Sequence, residues 1–185
     1  MNKNYLGLLV VVLNLSIVAG VGAATYTGGV EYTAGTGSNQ ATIAIDFDED
    51  NYFLFTYYWD GSATGWDALD ALDQTGALDV SATDYGAWGM FVDDLDYPGG
   101  LEFDYGGGVN TGWTYYFGTD NENWLLGSDG ISFHELSNNS WDSWVWTNYD
   151  ASWAAVRGPG QTPVPEPASL LLLSAGGLFL RRRKR

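Results

Sequence analysis

Apolar and polar positions fall into three regimes along the chain. Residues 6–18 (LGLLVVVLNLSIV) and 168–180 (ASLLLLSAGGLFL) are nearly continuous apolar runs, whereas the sequence between them alternates over short stretches. In residues 41–47 the alternation puts Ala41, Ile43, Ile45 and Phe47 on one strand face, and an aromatic run at 52–59 follows after Asp48-Glu49-Asp50-Asn51, a polar set suited to a hairpin turn. The period then changes. Over residues 65–74 a helical spacing places Ala68, Leu69 and Leu72 on one side and Asp67, Asp70 and Gln74 on the other. Thr64 and Asp67 are spaced for a capping box, Asp67 suits the positive end of the helix dipole, and Gly76 stands where a left-handed cap would end the helix.

Aromatic and β-branched runs broken by Gly, Asn and Asp predict further strands at 77–82, 87–93, 111–117, 123–126, 130–135 and 144–147. Six glycines from Pro98 to Gly112 predict a mobile surface loop. The pattern is that of an α+β domain, mainly antiparallel β with one short helix.

Composition sharpens this picture. The 185 residues hold 23 acidic and seven basic side chains and no cysteine. From Glu31 to Arg157 the single basic residue is Arg157, set against 22 acidic residues from Glu31 to Asp150, so this stretch carries 1 − 22 = −21 formal charges. Such a surface repels phosphate backbones and argues against a nucleic-acid partner. The lack of cysteine excludes disulfides, thiol nucleophiles and zinc–thiolate centres. Bulk for a core comes from aromatic rings instead, with all nine tryptophans lying between Trp59 and Trp153.

The two apolar runs read as addresses. Lys3, the run at 6–18 and the small residues Ala19 to Ala24 form an export signal over residues 1–24, with signal peptidase expected to cut after Ala23 or Ala24. At the other end, residues 159–167 form a Pro-rich linker, 168–180 a transmembrane helix and 181–185 a basic cytoplasmic tail, leaving 25–158 as the acidic, aromatic-rich passenger. Thirteen residues span about 20 Å, short of a hydrocarbon core of about 30 Å. The cluster Arg181-Arg182-Arg183-Lys184-Arg185 favours the cytoplasmic side, and its long side chains can snorkel to make up the difference.

Val164-Pro165-Glu166-Pro167, the Leu/Gly-rich run with Ala175-Gly176-Gly177-Leu178 and the terminal arginines together resemble the PEP-CTERM sorting signal, also called the ice-binding protein C-terminal domain. The resemblance implies an exosortase-type membrane enzyme that processes the Pro-Glu-Pro segment, and a Gram-negative host making extracellular polysaccharide or a surface coat. It does not imply ice binding, because the tail is an address shared by unrelated passengers. The passenger is similar to the β-grasp domains of the transcobalamin C-terminal-like family. That likeness rests on a hairpin, the helix Gly65-Trp66-Asp67-Ala68-Leu69-Asp70-Ala71-Leu72-Asp73, the strand Gly89-Met90-Phe91-Val92-Asp93 and Trp113-Thr114-Tyr115-Tyr116. It implies a small surface domain without established catalysis, and cobalamin binding does not carry over because that site also needs a second domain.

Candidate chemistry in the passenger is sparse. His134, the chain's one histidine, is expected on a strand beside Glu135, so a histidine-based triad would rest on it alone. Asp46, Asp48 and Asp50 have the alternating acidic start of a Ca2+ loop, although Asn51 and Tyr57 stand where an EF-hand needs glycine and glutamate; Asp93-Asp94-Leu95-Asp96 is a second acidic cluster. Glycoside hydrolysis needs two carboxylates at a set separation, and nothing picks out a pair. For glycan stacking, Trp141 and Trp153 are the candidates, since Trp144 and Trp146 share a strand face that is expected to be core. The sequence therefore predicts a non-enzymatic surface or matrix protein, passing through the inner membrane to the cell surface or extracellular space. The alternative is a calcium- or carbohydrate-binding module among extracellular polysaccharides.

Overall fold

The computed structural model describes residues 26–105, 110–128 and 130–160. The export signal, the Val164–Pro167 motif, the 168–180 run and the Arg181–Arg185 tail lie outside the described residues. In chain order the elements are β1 (Val30–Gly35), β2 (Asn39–Asp46), β3 (Tyr52–Trp59), α1 (Gly65–Thr75), β4 (Asp79–Asp84), β5 (Met90–Asp96), β6 (Thr111–Gly118), β7 (Trp124–Leu126) and β8 (Ser140–Asn148). Six strands form one sheet in the order β1-β3-β2-β8-β6-β7, and β4 and β5 form a separate two-stranded ribbon. The β2–β3, β4–β5, β6–β7 and β6–β8 pairs are antiparallel, while β1–β3 and β2–β8 run parallel. The domain is thus mostly β with one short helix. Among the described residues, no helix is long and apolar enough to cross a membrane.

The hairpin and helix form where the sequence predicts them. Asp48 closes the β2–β3 turn, its carboxylate accepting from the Asp50 N–H at 2.8 Å and the Asn51 amide at 3.2 Å. Thr64 and Asp67 make both halves of the capping box. Ala68, Leu69 and Leu72 are buried against Ile43, Ile45, Phe55 and Trp144 in the main core. Each leucine removed from water there contributes on the order of 2 kcal/mol. Strand β2 is buried on both faces, because Ala44 on its far side packs with Tyr26 and Leu54 in a second cluster bordered by Tyr52, Trp124 and Trp141.

Several expectations are corrected. Residues 130–135 are not a strand but a turn with one isolated bridge, Thr64 to Glu135. Its backbone is drawn to the helix start instead: the Gly65 N–H donates to the His134 carbonyl at 3.0 Å and the Trp66 N–H to that of Ile131 at 3.3 Å. These bonds satisfy orphan donors of the first helical turn. Gly76 ends the helix with φ −135°, not in the left-handed region. Glycine is required there because a Cβ would stand 2.3 Å from the Tyr32 ring. Residues 87–93 break into a 3-10 turn (Gly86–Trp88) and the start of β5, with Gly86 and Gly89 both at positive φ. The described part of the glycine-rich loop lies against the sheet: Gly100 packs on the Phe47 ring, Trp146 donates to the Phe103 carbonyl at 3.1 Å, and Tyr105 donates to the Phe47 carbonyl at 3.1 Å.

Candidate functional site

The register of β6 against β8 pairs Tyr115 with Trp144 and Phe117 with Asp142. Since Asp142 shares a face with Trp144, this carboxyl points toward the core and is 1% exposed. Its Oδ2 accepts a 2.5 Å hydrogen bond from the Tyr115 hydroxyl, while Oδ1 has no hydrogen-bond partner and lies 3.8 Å from Nε2 of His134. That separation is too long for a hydrogen bond. The turn at 130–135 brings His134 here by folding over the end of β6, where the imidazole stacks on Phe117 with centroids 4.1 Å apart and meets Tyr115 at 6.0 Å. Gly65 permits the approach of helix and sheet, because a Cβ would sit 3.0 Å from both the Tyr115 hydroxyl and Asp142 Oδ2.

Above this group opens a cleft of about 190 Å3, lined by Tyr115, Phe117, Gly127, Gly130, Phe133, His134 and Glu135. Burial pushes the Asp142 carboxyl up to about 7, with the Tyr115 bond opposing the shift. Burial also raises the Tyr115 phenol, reinforced by Asp142, and lowers His134, which favours its neutral form. The arrangement is an aromatic cleft with a neutral imidazole in its wall and a carboxyl of changeable charge behind it. Phe133 is 55% exposed at the rim and close to Gly89, next to the 86%-exposed Trp88 on the β4–β5 turn.

The other proposed site residues are placed differently. Asp46 is fully buried, and its Oδ1 accepts from the Arg157 guanidinium at 2.6 Å; Oδ2 accepts from the Tyr26 hydroxyl at 2.6 Å and the Gly160 N–H at 2.7 Å. Burial raises its pKa, and the Arg157 charge opposes that shift. Committed to this network, Asp46 does not join Asp48, whose oxygens hold the turn, or Asp50, which is exposed. Among the described residues, no group of three or more His, Asp or Glu is arranged to hold a metal ion. Trp141 is half-buried, edge-on to Trp124 at 6.3 Å, and borders the second core cluster, so it is not a free stacking platform. Trp153 is 70% exposed on a turn at φ 64°. Trp144 is core, as expected, and Trp146 is partly covered by the loop.

Sequence reasoning singled out His134 but missed its neighbours Asp142 and Tyr115. The available signal was an aspartate at an alternating position shared with Trp144, a carboxylate on a face that must be core.

No curated protein gives a significant match to the chain. Residues 163–185 match the PEP-CTERM protein-sorting motif. This tail marks the chain as a protein exported through the membrane toward the cell surface, with an exosortase-type processing enzyme as its partner.

Proposed function

We propose that the chain is a non-enzymatic surface or matrix protein whose passenger serves a structural or adhesive role among extracellular polysaccharides or neighbouring surface proteins. It is held transiently in the inner membrane by residues 168–180, with Arg181–Arg185 in the cytoplasm, and is processed near Val164-Pro165-Glu166-Pro167. The observation that carries this reading is the sorting-motif match at 163–185. Tyr26 and Gly160, the first and last described residues, both bond to Asp46, Tyr26 through its side-chain hydroxyl and Gly160 through its backbone N–H. The hairpin, single helix and central parallel β2–β8 pair support a β-grasp-like passenger.

Only residues 161–163 separate Gly160 from Val164. At no more than about 3.6 Å per residue, Val164 can stand no more than roughly 15 Å from Gly160. Replacing Pro165-Glu166-Pro167 with alanines should therefore leave a membrane-held precursor and abolish surface delivery, as read by cell fractionation and immunoblotting. Undiminished processing of that variant would refute the proposed route.

A further inference from the structure

Among the described residues the only Lys or Arg is Arg157, and its guanidinium is buried on Asp46, away from the cleft formed by Tyr115, Phe117, Phe133, His134 and Glu135. The cleft therefore lies in a field of negative sign with no fixed cation of its own. The rings of Tyr115, Phe117 and Phe133 line it, and aromatic quadrupoles attract cations. Glu135 adds a carboxylate at the wall, and the buried, unpartnered Oδ1 of Asp142 lies behind His134. At about 190 Å3 the space is smaller than the roughly 300–1,000 Å3 that hold a drug-sized ligand, which leaves room for one small group. A neutral sugar ring would gain nothing from the negative field or from Glu135, which single out a cationic group. An anion would meet Glu135 and the field of the whole body.

We propose that this cleft binds a small organic ammonium group, its positive charge beside Glu135 and the exposed Phe133 ring and its carbon substituents against the aromatic lining. Such a group is available from a choline-type headgroup or from an amino sugar with a free amine. The shared chemistry is a substituted ammonium of modest volume, and the site is independent of the sorting tail. Its failure would leave the export reading untouched, because the two are read on different material.

The test uses the untagged full-length chain in a polyoxyethylene detergent. His134 is the sole histidine, so its imidazole C–H signals in proton NMR report on the cleft directly. Choline and glucosamine should each shift these signals saturably, and their uncharged counterparts, 3,3-dimethylbutanol and glucose, should bind at least tenfold more weakly. Stronger binding of choline would assign the source to headgroups, and stronger binding of glucosamine to amino sugars. Phe133→Ala and Glu135→Gln, both at exposed positions, should weaken the preferred ligand about three- to thirty-fold, the range of a desolvated cation–π contact, without lowering the melting temperature. Equal binding of charged and uncharged counterparts, or an affinity unmoved by Phe133→Ala, would overturn the assignment.

Discussion

Asp142 shows how far one buried side chain can set the behaviour of its surroundings. Its carboxyl is pushed up to about 7 by burial, against an ordinary value near 4. The folded state therefore holds a proton that the unfolded chain has released, so this group's contribution is fully present below about pH 4 and is lost as pH rises through 7. Three pH units correspond to about 4 kcal/mol, and local relaxation reduces the realised effect to on the order of 2 kcal/mol. Asp142→Asn keeps an acceptor for the Tyr115 hydroxyl and has no charge to bury. The variant should match the parent in urea stability at pH 4 and exceed it by about 2 kcal/mol at pH 8. Parallel stability curves across that window would show that the carboxyl is not desolvated as described. His134 moves oppositely, because its lowered pKa favours folding as pH rises, so only the difference between variant and parent isolates Asp142.

At the level of elements, local signals were legible and long-range ones were not. The helix could be read because its cap, its apolar stripe and its acidic face occupy consecutive residues. The β2–β3 hairpin was legible for the same reason, with its turn set by Asp48. Strand β1 was missed. Four of its six residues are exposed, and it pairs with β3 in parallel, with Val30 opposite Leu54, a contact no local pattern announces. Residues 130–135 looked like a strand by composition, but capping the helix start offered their carbonyls better partners than any open sheet edge. The cleft depends on that turn and on the β6–β8 register, a long-range pairing that no local pattern announces, which explains why His134 seemed isolated in sequence.

Gly76 gives a sharp test of element packing. Alanine normally gains over glycine in a chain end of ordinary backbone angles, through the lost freedom of the unfolded state. Here the added Cβ would run into the Tyr32 ring, which is pinned by bonds to the Leu72 carbonyl at 2.9 Å and the Leu78 N–H at 3.2 Å. Gly76→Ala should therefore destabilise by about 1–3 kcal/mol in thermal or urea unfolding, the cost of overpacking. A gain in stability would mean that Tyr32 moves aside freely.

For the whole molecule, the decisive feature is how its ends are secured. The one basic side chain of the passenger is spent internally: Arg157 reaches the Asp46 carboxylate, the Asp46 carbonyl at 2.9 Å and the Trp146 carbonyl at 3.0 Å. Tyr26 bonds to the same aspartate from the other end of the domain and contacts Ser143 at 2.7 Å. Removing one member of a buried pair strands the other, so Arg157→Ala should cost about 3–5 kcal/mol and free the segment leading to the tail. A loss below 1 kcal/mol would show that the network does not close the domain.

The central claim is best tested by the intact mass of the protein recovered from the cell surface. The account predicts a chain that starts at Ala24 or Thr25 and has been processed near Val164–Pro167, without the 168–180 run and the terminal arginines. A surface form retaining Arg181–Arg185, or a full-length product dissolved in the cytoplasm, would contradict it.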